Sequence, residues 1–119
     1  TAYIELYSTG TPYNRHPNCK IYCHDTANAP NFENIGVLEI CGRNYTTNYA
    51  LWNESQPHGE WVKTPSLVDP IQEVINRTDW KSDNSIAFLF ITEEIKGYSA
   101  SFQNYDNGYP PRLYIEWEK

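Results

Sequence analysis

Apolar and polar residues alternate over Ala2-Tyr3-Ile4-Glu5-Leu6-Tyr7, which predicts a strand with Ile4 and Leu6 on its buried face. After a Gly/Pro/Asn-rich turn region from Thr9 to Asn18, Cys19-Lys20-Ile21-Tyr22-Cys23 reads as a second strand. Asp25 to Asn34 is a loop, with Ala29-Pro30 inside it and Phe32 tucked inward. Val37 to Cys41 fits a short strand or a helical turn, and periodicity does not separate the two. Alternation returns from Thr46 to Trp52, and Asn53 to Glu60 is again a loop. The pattern changes period at Asp69. There Asp69 is expected to be the N-cap, Pro70 the first helical position and Gln72 the completion of a capping box. Ile71, Val74 and Ile75 then share a face that covers one end of a sheet, and Trp80 follows as a plug. Ser85 to Thr92 is apolar on both faces, as a central strand is. Gly97 to Gln103 and Arg112 to Glu118 are two more strands, separated by the turn Asn104-Tyr105-Asp106-Asn107-Gly108. In the last strand Leu113, Ile115 and Trp117 point one way, and Tyr114, Glu116 and Glu118 the other. Several strands and one short helix, without internal repeats, predict a mainly β fold, a β-sandwich.

The chain has 119 residues, enough for one core and not for two, so residues 1–119 are expected to form a single sandwich domain. Ten Tyr, four Trp and four Phe with no Met favour sheets with packed aromatic faces over a helical bundle. The net charge is −6 and the basic residues are scattered, which excludes a surface that tracks a phosphate backbone or an anionic membrane. The longest apolar run, Ile86 to Ile91, is too short to span a bilayer.

Three N-glycosylation sequons, Asn53-Glu54-Ser55, Asn44-Tyr45-Thr46 and Asn76-Arg77-Thr78, point to an extracellular or cell-surface location. Asn53, in a polar segment, is the first candidate, followed by Asn44 and then Asn76 at a helix end. Cys19, Cys23 and Cys41 are the disulfide candidates. Residues four apart on an extended strand lie about 13 Å apart, beyond disulfide reach, so Cys19 and Cys23 do not pair with each other. Two readings stay open: a bridge from one of them to Cys41 with one odd thiol, or three reduced core cysteines.

The segments Ala2-Tyr3-Ile4-Glu5-Leu6, Ile21 followed by Asn28-Ala29-Pro30-Asn31-Phe32, then Arg43, Thr46-Thr47 and Trp52 form the first half of a wider pattern. Thr64-Pro65-Ser66-Leu67, Ile71-Gln72-Glu73-Val74-Ile75-Asn76-Arg77, Trp80, Ser82, Asn84 and Pro111-Arg112-Leu113-Tyr114-Ile115-Glu116 complete it. Together they resemble the jelly-roll modules of secreted and cell-surface proteins, akin to the DNRLRE-type and carbohydrate-binding-module groups. The resemblance covers nearly the whole chain. It implies an antiparallel jelly-roll β-sandwich with an accessory or structural role, no catalytic machinery and no transferable ligand residues. Such modules have further strands ahead of the segment matching Ala2. Without them an edge or groove stands open. Either a strand from another copy fills it, as in donor-strand complementation, and a head-to-tail filament results, or the chain is a fragment and the gap has no functional meaning.

Candidate chemistry is sparse. Glu93-Glu94 point to opposite strand faces and cannot form a glycosidase pair. His16, His24 and His58 lie in or beside loops, outside any zinc-protease or serine-hydrolase motif. Zinc at Cys19, Cys23 and His24 lacks a second pair of ligands. Asp25, Asp106 and Asn107 are the residue types of a structural calcium site, without the spacing of one. Trp61, Tyr105 and Tyr109, with Tyr98 and Tyr13, suit either an aromatic platform for sugar rings or packing at a core or subunit contact. Trp52, Trp80 and Trp117 are expected to be structural. Two functions remain: a non-enzymatic extracellular glycoprotein subunit that self-associates into a homo-oligomer or surface filament, or a carbohydrate-binding module that holds polysaccharide.

Overall fold

The computed structural model describes residues 1–8, 19–30, 43–54, 59–92 and 108–117. The elements, in chain order, are β1 (Ala2–Ser8), β2 (Cys19–Cys23), β3 (Ala50–Trp52), β4 (Glu60–Lys63), α1 (Val68–Ile75), β5 (Phe88–Ile91) and β6 (Arg112–Ile115). Among the described residues the strands form two antiparallel three-stranded sheets, ordered β4-β1-β6 and β3-β2-β5. The chain is mainly β with one short helix. The expected strand at Gly97 to Gln103 and the segment Val37 to Cys41, a short strand or a helical turn by its pattern, lie outside the described residues, as do Phe32 and the turn before Gly108.

β1 alternates between buried and half-buried residues along its whole length, as its sequence pattern predicts. Ala2, Ile4 and Leu6 face inward beside Val62. From the other sheet Cys19, Ile21, Cys23, Ala50 and Trp52 face inward, and Leu67, Ile71 and Val74 close the set. These residues form one hydrophobic cluster to which both sheets and the helical segment contribute. Trp52, only 1% exposed, is its largest member, and Trp80 packs against its margin.

A buried threonine locks each sheet. The Ile4 N–H donates to Thr64 Oγ1 at 3.0 Å, and the Thr64 N–H donates to the Ile4 carbonyl at 2.9 Å. On the second sheet the Cys23 N–H donates to Thr46 Oγ1 at 3.1 Å, and the Thr46 N–H returns to the Cys23 carbonyl at 2.9 Å. In both places a hydroxyl satisfies a strand N–H where backbone pairing stops, which a buried donor requires. Glu73 on α1 reinforces the second lock. Its carboxylate accepts the N–H groups of Thr47 and Asn48, each at 2.9 Å, and the Asn48 side-chain amide at 2.7 Å.

Tertiary contacts explain two departures from the sequence pattern. The strand expected over Thr46 to Trp52 is regular only over Ala50–Trp52, because Thr46 and Glu73 take the backbone donors of Cys23, Thr47 and Asn48. The helix begins at Val68, ahead of the expected Asp69 cap, and Leu67 is the N-cap without a side-chain cap bond. Leu67 is fully buried and its N–H donates to the Ala2 carbonyl at 2.8 Å. Tertiary anchoring therefore sets the start of the helix, and Asp69 lies in the first turn. Pro70 is tolerated there because first-turn N–H groups have no intrahelical acceptor. Ile75, expected on the covered face, is more than a third exposed. β5 is shorter than the segment from Ser85 to Thr92 and pairs with β2; its other side has no partner among the described residues.

Candidate interaction surfaces

The strand alternation that sends Ile4 and Leu6 inward places Tyr3, Glu5 and Tyr7 on the outer face of the β4-β1-β6 sheet. Pairing adds neighbours in rows: Trp61 opposite Tyr7, Lys63 and Arg112 on either side of Glu5, and Tyr114 opposite Tyr3. Tyr109, just before β6, stacks on Tyr7 with ring centroids 4.2 Å apart, and Trp61 meets Tyr7 edge-on at 5.5 Å. Tyr114 stacks on Tyr3 at 4.9 Å. Between the aromatic rows, Arg112 Nη2 donates to Glu5 Oε2 at 2.9 Å, and its guanidinium reaches across β1 to lie 3.7 Å from the Trp61 ring centre. Lys63 Nζ sits 4.8 Å from the centre of the Tyr3 ring. Each such surface contact is worth about 1 kcal/mol or less, so together they order the face more than they stabilise the fold. Gly59, at φ 71°, holds the entry to β4, where its carbonyl accepts the Tyr7 hydroxyl at 2.9 Å.

The structure thus brings Trp61 and Tyr109 together, and Tyr105, Tyr98 and Tyr13 lie outside the described residues. Tyr7 and Arg112 were not singled out in the sequence. The strand alternation placed Tyr7 outward, but its partners depended on which strands pair. Arg112 covers one face of Trp61 and Tyr7 covers one face of Tyr109, so the cluster offers less open ring area than its composition suggests.

A second surface runs along the edge of the same sheet. Thr1 and Glu116 exchange hydrogen bonds: the Glu116 N–H donates to the Thr1 carbonyl at 2.7 Å, and the Thr1 amino group donates to the Glu116 carbonyl at 3.2 Å. Antiparallel alternation then turns the backbone of Tyr114 and Arg112 toward β1, and that of Leu113 and Ile115 away from it. Among the described residues β6 pairs only with β1. Leu113 lies in the same row as Ile4 and Ile115 yet is 48% exposed. Trp117, expected to be structural, is 77% exposed. Ile115 and Trp117 line a cleft of about 430 Å³ together with Ala2, Val68, Ile71 and Ile75.

The other sequence candidates fall elsewhere. Cys19 and Cys23 are buried free thiols on the inner face of β2 and do not pair with each other; Cys41 lies outside the described residues. Burial pushes Cys19 up to about 11, and burial together with the Glu73 charge pushes Cys23 up to about 12. Asn44, Asn53 and Asn76 are all exposed, and Asn76 Oδ1 accepts from Gln72 at 2.8 Å. Asp25 carries an ion pair to Arg77 at 2.8 Å, and Arg77 also engages Asp79 at 2.9 Å. A guanidinium thus already holds that calcium candidate, and Asp106 and Asn107 lie outside the described residues. His24 is held below its ordinary value by burial and by the Arg43 charge, against the opposing pull of Asp25. Among the described residues no three His, Cys, Asp or Glu side chains are grouped to hold a metal ion, and no helix is long and apolar enough to cross a membrane.

Comparison with protein-family models, with curated proteins and with solved structures finds no match.

Proposed function

We propose that this chain is a non-enzymatic, extracellular structural glycoprotein subunit of jelly-roll type that self-associates through edge-strand pairing. One observation carries the reading: β6 turns the backbone groups of Leu113 and Ile115 away from β1 while Leu113 and Trp117 lie exposed beside them. Among the described residues those backbone groups have no strand partner, and an edge strand that carries apolar side chains beside such groups is a template for pairing with another chain. The exposure of all three sequon asparagines supports the glycoprotein part of the proposal. Sedimentation velocity over a concentration series, with electron microscopy of the same sample, tests it. Species larger than 13.9 kDa that grow with concentration are expected. A monomer at every concentration overturns the proposal.

The cluster of Tyr7, Trp61 and Tyr109 beside Arg112 favours a second reading, a carbohydrate-binding module. Partly exposed rings next to hydrogen-bonding groups suit sugar recognition. Retention of the wild-type chain on insoluble polysaccharide, lost in Trp61→Ala, would support it. Equal retention of the two would refute it.

A further inference from the structure

The segment of β6 held by β1 runs from Arg112 to Glu116. It is symmetric about Tyr114 in a physically meaningful way. Opposite charges stand at its two ends, apolar Leu113 and Ile115 stand one residue either side of the centre, and the backbone groups of those two point to the outer edge. We infer that two copies of this chain join β6 to β6 about a two-fold axis through Tyr114. This rests on the self-association reading above and specifies its partner and register.

Antiparallel pairing about Tyr114 sets Arg112 opposite the partner's Glu116, and Glu116 opposite the partner's Arg112. Across each sheet an alternating row results: Lys63, Glu5, Arg112 and then the partner's Glu116. Opposite charges directly across strands favour the pair, and like charges there oppose it. On the inner side Leu113 meets the partner's Ile115 and the reverse. That covers the exposed side chain of Leu113 and brings the partner's Leu113 beside Ile115, at the cleft between β6 and α1. Leu113 and Ile115 become the hydrogen-bonded pairs of the new ladder, which their outward backbone groups require. Trp117 comes opposite the partner's Pro111, whose missing N–H ends the ladder.

Registers displaced by one step of the axis fit less well. Centring on Leu113 sets Ile115 against the partner's Pro111, which has no N–H, and leaves Glu116 without an arginine. Centring on Ile115 sets Tyr114, and not Arg112, opposite the partner's Glu116. A two-fold contact closes on itself, so this interface makes a dimer that joins two sheets into one. Any longer assembly needs a further contact.

Tyr114→Cys in the full chain tests the register. In this pairing the two residues at 114 form a non-hydrogen-bonded pair with Cα atoms about 4.5 Å apart, within disulfide range. Mild oxidation should give a covalent dimer, with the unaltered chain as control for the native cysteines. Association without a crosslink at 114 overturns the register and leaves self-association standing. A monomer in both chains overturns both. A second measurement avoids any dependence on the Tyr114 ring. Glu116→Arg and Arg112→Glu should each weaken association by about tenfold, and mixing the two variants should restore it as a heterodimer. Failure of the mixture to associate while each variant keeps its circular dichroism also overturns the inference.

Discussion

Replacing Thr64 with Val keeps the side-chain shape and removes one oxygen. That oxygen accepts the buried Ile4 N–H at 3.0 Å and donates to the Pro65 carbonyl at 3.0 Å. Valine leaves the Ile4 donor buried with no acceptor, a cost of about 1–3 kcal/mol. A net loss of about 2 kcal/mol is expected, since water can reach the part-buried Pro65 carbonyl. For a domain of this size that lowers Tm by roughly 8 °C. Thr64→Ser is the control. It keeps the hydroxyl and loses one methyl, worth about 0.8 kcal/mol or roughly 3 °C. Thermal unfolding followed by circular dichroism, with urea midpoints as a check, should rank wild type above Ser and Ser above Val. If Val proves as stable as Ser, the lock between β1 and the segment after β4 is packing and the hydrogen-bond argument fails.

Glu73→Gln should lower stability by about 1 kcal/mol at pH 7, because an amide cannot serve all three donors that the carboxylate accepts. Burial pulls the Glu73 carboxyl up, but the donors of Asn48 and Thr47 outweigh it and hold the group below its usual range. Its contribution is therefore complete above the ordinary carboxyl pKa and is lost as pH falls through the depressed one. The gap between wild type and variant in thermal melts should close below about pH 4; a gap constant to pH 2 would refute the assignment. Cys19 and Cys23, raised to about 11 and about 12 and buried, should react with a thiol reagent at pH 8 at least ~100-fold more slowly in the native chain than in urea; equal rates would contradict their burial. Leu113→Lys should change unfolding free energy by less than about 0.5 kcal/mol, since the residue is already half exposed. The same substitution should shift sedimentation toward monomer, and unchanged association would remove Leu113 from the interface.

Local pattern sufficed where one periodicity decided the outcome. β1 and β2 stand where alternation places them, and Ile71 and Val74 are buried as helical spacing requires. The physical reason is that side-chain direction within an element follows from backbone geometry alone. The inability of Cys19 to reach Cys23 was legible for the same reason.

Boundaries depended on distant partners. Asp69 carries every local mark of an N-cap, yet the helix starts earlier because Leu67 is buried and bonded to Ala2. Thr46 to Tyr49 alternates like a strand, yet Thr46 and Glu73 capture the donors that a ladder would use. Nor could alternation announce that Trp117 would be exposed, because burial depends on what lies across from a row. The candidate surfaces show the same division. Alternation alone set Tyr3, Glu5 and Tyr7 on one face. Only the pairing of β1 with β4 and β6, strands far apart in the chain, brought Trp61, Arg112 and Tyr109 to them and left Leu113 on an edge. The sequence by itself determined a mainly β chain, the facing of its clearest strands and its acidic balance, all properties of neighbouring residues. Tertiary structure decided the partners of each strand and the row left at the edge, because those follow from contacts between segments that no local pattern encodes.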